Sequence, residues 1–92
     1  MNKKKTGSVE VWLTLDQKRS RADARLIFEG EFLKSMGLDA KSIGGAEREL
    51  TARLVRDGYE PLGDGWKLEA QYGFVQEVSR TFTEVRTAAE LD

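Results

Sequence analysis

The chain has 92 residues and a mass of 10.4 kDa, enough for one small domain. Fifteen basic against 16 acidic residues give a net charge of −1, and 39% apolar with 34% charged residues is an ordinary globular balance. The lack of cysteine and histidine excludes disulfides, thiol nucleophiles, Ser-His-Asp triads, zinc fingers and most zinc or copper sites, so no cofactor or metal is expected.

Lys3, Lys4 and Lys5 open the chain, but no apolar stretch follows them. The longest uninterrupted apolar runs are three residues, as in Leu26-Ile27-Phe28, whereas a membrane span needs about 20 residues. Residues 1–7 therefore read as a disordered basic tail, and the chain as cytoplasmic. Charge is uneven: residues 1–25 carry seven basic and three acidic groups, and the remainder eight and thirteen. Such a dipole can steer an acidic partner or favour self-contact.

Val9, Val11, Leu13 and Leu15 alternate with polar neighbours, which predicts a strand over residues 8–16. Trp12 falls on the opposite face from these aliphatics. A polar basic connection follows, from Asp16 to Asp23. Residues 24–36 admit two readings. In one, a strand at 24–30 forms a hairpin with 8–16 and places Leu26, Phe28, Gly30 and Phe32 on one face. In the other, residues 20–36 form a helix with Ser20 as N-cap, Asp23 in a capping box and Gly37 at C′, stacking Ala24, Phe28, Phe32 and Met36. Gly30 weakens both, and the strand is preferred.

The plainest helix lies at 46–57, where Ile43, Ala46, Leu50 and Leu54 share one stripe. Gly44-Gly45 reads as a break before it, Glu47 and Glu49 as its first turn, Arg53 and Arg56 as its last, and Gly58 as its left-handed C′ residue. Tyr59 to Leu62 predicts a short strand, confined by Pro61 to an edge or a strand start. Gly63-Asp64-Gly65 signals a turn, residues 66–71 a strand, and Gly73 a turn or bulge. Residues 74–83 fit both periods, and their threonines favour a strand. Residues 86–92 read as a frayed or short helical tail.

These elements amount to an α+β fold, with a small antiparallel sheet of four or five strands packed by one main helix in the order β-β-α-β-β-β. Residues 8–85 form the single domain. The run from Leu50 to Leu62 resembles a junction in a group of short bacterial and phage proteins of unknown function. There a Leu-rich helix ends at a glycine followed by Trp-Glu-Leu-Val. Gly58, Tyr59, Glu60 and Leu62 match in type, Tyr59 stands for the tryptophan, and Pro61 departs from the aliphatic. The resemblance spans about 13 residues and implies a helix on an antiparallel sheet, with no activity.

No catalytic motif emerges. Glu29 and Glu31, as strand residues on one face about 7 Å apart, suit a charged solvent face better than acid–base work. Gly44-Gly45 lacks the Lys-Ser/Thr of a phosphate loop, and Gly63-Asp64-Gly65 lacks the later oxygen ligands of a calcium loop. The candidate interface is aromatic: Trp12, Trp66, Tyr72 and Phe74, the last three sharing strand parity if no bulge intervenes. One helix cannot cover both sheet faces, so an apolar remainder around Trp12 is expected to dock a partner. Lys18, Arg19, Arg21 and Arg25, with the N-terminal lysines, are candidate anion contacts. The expected function is a non-catalytic interaction module, self-associating as a homodimer and binding a protein partner through a sheet face or edge. Nucleic acid is the alternative partner, disfavoured by the mildly acidic whole.

Overall fold

A computed structural model describes residues 7–84. The elements are β1 (Gly7–Asp16), β2 (Arg21–Phe28), β3 (Glu31–Asp39), α1 (Ile43–Arg56), β4 (Tyr59–Pro61), β5 (Lys67–Tyr72) and β6 (Val75–Glu84). All strand pairs are antiparallel, in the order β3-β2-β1-β6-β4, and β5 shares the outer edge of β6 with β4. The fold is thus α+β with one helix on a six-stranded sheet. The lysines at 3–5 and the tail at 86–92 lie outside the described residues, while Gly7 already belongs to β1.

β1 is central because its alternation is the strictest. Val9, Val11, Leu13 and Leu15 point to one side and are buried. Each meets a partner on both flanks: Val9 lies between Phe28 and Phe82, and Leu13 between Ala24 and Val78. Ala46, Leu50 and Leu54 of α1 close this layer, which also includes Ala22, Leu26 and Leu38. α1 leaves β3 at one margin of the sheet and delivers the chain to β4 beyond β6. A helix of 14 residues is about 21 Å long, close to the roughly 19 Å of four inter-strand steps it must cross.

Several expectations need correction. Residues 20–36 form no helix; a third strand adds to the predicted order before α1. The strand predicted at 24–30 ends at Phe28, and Glu29 (φ 51°) with Gly30 (φ 82°) makes a tight left-handed turn into β3. Glu29 and Glu31 are therefore not neighbours on one strand face. Ser20 also sits in a turn, at φ 53°. α1 starts at Ile43, so Gly44-Gly45 lies inside its first turn. Ser42 is the N-cap, its Oγ accepting from the Gly45 amide at 3.1 Å. No acidic residue occupies the first turn; Glu47 and Glu49 come one turn later.

The later expectations agree more closely. Gly58 takes φ 100° after the helix, and its amide reaches the Val55 carbonyl. Pro61 lies on the edge strand β4, opposite Phe82. Residues 75–84 are a strand.

Candidate functional site

The helix-free face of the sheet is polar at its centre, while Trp12, Ile27 and the exposed Phe32 are apolar members of it. It carries the other half of each alternation: Glu10, Trp12 and Thr14 of β1, Arg21, Asp23, Arg25 and Ile27 of β2, and Val75, Glu77, Ser79 and Thr81 of β6. Trp12 is half-buried among them, and its Nε1 donates to Glu10 Oε1 at 3.2 Å. Arg25 Nη2 and Thr14 Oγ1 both donate to Glu77 Oε2, each at 3.1 Å. The face is occupied by its own hydrogen bonds.

The four aromatic candidates do not converge. Trp66 is half-buried on the helix side, packed against the core with its ring centroid 5.9 Å from that of Phe82. Trp12 is on the opposite face. Tyr72 and Phe74 are exposed at the β5–β6 hairpin tip. A register shift between Leu68 and Ala70 breaks the parity that would have united Trp66 with Tyr72.

The basic candidates are spread over the 17–20 turn and β2, each beside its own counter-group. Lys18 Nζ lies 6.0 Å from the Phe74 ring centroid. Arg19 Nε is 3.7 Å from Asp16, and Arg21 Nε 3.9 Å from Asp23. Arg25 binds Glu77.

Arg80 was not singled out in the sequence. It faces the helix side, opposite Val11, and donates from Nε to the Leu62 carbonyl and from Nη2 to that of Gly63. It thereby pins the β4–β5 connection. Beside it, Glu47, Arg48, Thr51, Ala52 and Trp66 complete an open depression of about 400 Å³. Partial desolvation pushes the Glu47 carboxyl above its usual range, against the pull of Arg48 and Arg80. Among the described residues, no cluster of three or more acidic side chains could hold a metal, and no helix is long and apolar enough to cross a membrane.

What remains unpartnered is at the edges. Among the described residues, the outer side of β3 pairs with no strand, its first five residues are exposed, and Phe32 and Leu33 are 61% and 48% accessible. The outer side of β5 likewise meets no described strand, with Leu68 55% accessible. The face expected to join Phe32 to Leu26 and Phe28 does not form, because Phe32 lies on edge strand β3 opposite Ile27. The chain matches no known protein-family model, no curated protein and no solved structure.

Proposed function

We propose that this chain is a small non-catalytic interaction module that self-associates and takes a protein partner by strand addition at the edge of its sheet. The observation that carries this reading is β3: an open row of backbone donors and acceptors beside the accessible side chains of Phe32 and Leu33. An extended segment can satisfy those groups while seating an apolar side chain next to Phe32. Lys34 and the bulge between Leu26 and Ile27 of the β2–β3 pair restrain indiscriminate pairing and favour a segment with an acid beside Lys34. Hydrogen bonds among Glu10, Trp12, Thr14, Arg25 and Glu77 occupy the centre of the helix-free face and favour the edge, where Phe32 extends the apolar side chain of Ile27.

The test is site-directed photo-crosslinking in cell extract. A photoreactive residue at Phe32 is expected to trap a partner, whereas one at Thr81, exposed in the middle of the polar face, is not. Capture at Thr81 alone would move the site to the face. Salt-dependent binding of labelled nucleic acid, lost on neutralising Lys18 and Arg19, would replace this reading with the anionic one.

A further inference from the structure

We propose that the β5 edge is where two copies of this chain meet, antiparallel about a two-fold axis at Leu68, with Lys67 of each copy opposite Glu69 of the other. This deepens the self-association part of the function above and assigns it a surface distinct from β3. A two-fold antiparallel pair centred on one residue sets its two neighbours against each other across the axis. Centring on Lys67 opposes two ammonium groups, and centring on Glu69 opposes two carboxylates. Centring on Leu68 makes two opposite-charge pairs and one Leu–Leu contact.

The side chains are disposed for that register. Lys67 lies opposite Ser79, Glu69 is the extra residue of the β5 bulge, and the Ser79 hydroxyl donates to Glu69 Oε2, so the bulge turns both charged groups to the polar face. Leu68 lies opposite Val78 on the helix side, yet over half its surface is accessible, so its own chain leaves it largely uncovered. A second copy would cover it with the same residue. The β5 register is a partial overlap confined to Lys67, Leu68 and Glu69, whereas full overlap of the nine residues of β3 centres on Ser35 and sets Glu31 against Asp39 twice. The two edges thus divide the work, β5 for a second copy and β3 for a different chain.

The cysteine-free chain makes the test direct. Leu68→Cys and Ser35→Cys are each treated with diamide, which oxidises two thiols to a disulfide. Leu68→Cys is expected to cross-link to a dimer, and Ser35→Cys to remain monomeric. In sedimentation of the cysteine-free protein, Lys67→Glu and Glu69→Lys should each weaken the dimer about tenfold or more, and the two together should restore it. A chain that stays monomeric at sub-millimolar concentration, a double swap that fails to rescue, or preferential cross-linking at Ser35 would overturn the proposal. Partner capture at Phe32 is read separately, so failure at β5 leaves the β3 reading standing.

Discussion

Arg25 and Glu77 sit 52 residues apart in sequence and 3.1 Å apart in space, joined over the central strand β1 by a carboxylate that also accepts from Thr14. The pair ties the first hairpin to the last strand on the face that the helix does not cover. Arg25 is 48% and Glu77 24% accessible in their side chains, so solvent screens much of the attraction. A double-mutant cycle with Arg25→Gln and Glu77→Gln should give a coupling of about 0.5 kcal/mol, falling as salt is raised. A salt-independent coupling several times larger would show that the pair is sheltered from water.

The turn between β2 and β3 is a second place where a modest change has a definite sign. Glu29 adopts φ 51°, a left-handed conformation that costs a glutamate about 1 kcal/mol and that asparagine tolerates better. Glu29→Asn is expected to stabilise the fold by about 0.5–1 kcal/mol in urea denaturation. Its neighbour supplies the opposite control. A Cβ at Gly30 would meet nothing within 4 Å, yet φ is 82° there, so Gly30→Ala should destabilise through backbone strain alone. Stabilisation by Gly30→Ala would mean that the turn has another geometry.

That turn also marks where the sequence stops being legible. β1 and the stripe of α1 follow strict periods, two and 3.6, because each buries a single face against one core, and both can be read without coordinates. Glu29-Gly30 hides a hairpin because glutamate is a poor occupant of a left-handed turn position. β3 hides because an edge strand exposed at Glu31 to Ser35 loses the alternation that burial imposes. The start of α1 was obscured by two glycines, although Ser42 three residues before Gly45 was the capping signal. The polar centre of the face around Trp12 was readable in Glu10, Thr14, Arg21, Asp23 and Arg25, with Ile27 as its apolar neighbour opposite Glu10. The displacement of Trp66 from Tyr72 was not, because a bulge is a property of a strand pair.

The glycines at the two ends of α1 should respond in opposite directions. At Gly44 a Cβ would lie 3.6 Å from Arg48 Nη1, an ordinary contact, and the backbone there is helical. Gly44→Ala is therefore expected to raise stability by about 0.5 kcal/mol through the unfolded state. Gly58 is held at φ 100°, and Gly58→Ala should lower stability by about 1 kcal/mol or more. Thermal melts of the two variants suffice, and equal shifts of the same sign would contradict the observed ends of the helix.

Leu50 is fully buried at the centre of the α1 stripe, between Ala46 and Leu54. Leu50→Ala should cost about 2–4 kcal/mol, a large share of what a domain this small possesses. Leu68→Ala, at the β5 edge, should leave the monomer's urea midpoint nearly unchanged. A comparable loss at both sites would show that Leu68 belongs to the core.

Glu47 gives the fold a pH dependence of calculable sign. Desolvation on the helix face pushes its carboxyl above the ordinary value of 4.5, and Arg48 and Arg80 only partly oppose this. The folded chain thus holds the Glu47 proton more tightly than the unfolded chain does. Its contribution to stability is present at acid pH and is lost as pH rises from about 4.5 through the higher folded-state value. Glu47→Gln removes the ionisation while keeping the shape. The variant should unfold at a higher urea midpoint than the parent at pH 7, and the gap should close as the pH is taken below 4.5. If Glu47→Gln were instead less stable at pH 7, attraction to Arg48 and Arg80 would outweigh burial, and the carboxylate would be a stabilising partner for the arginine that pins the β4–β5 connection.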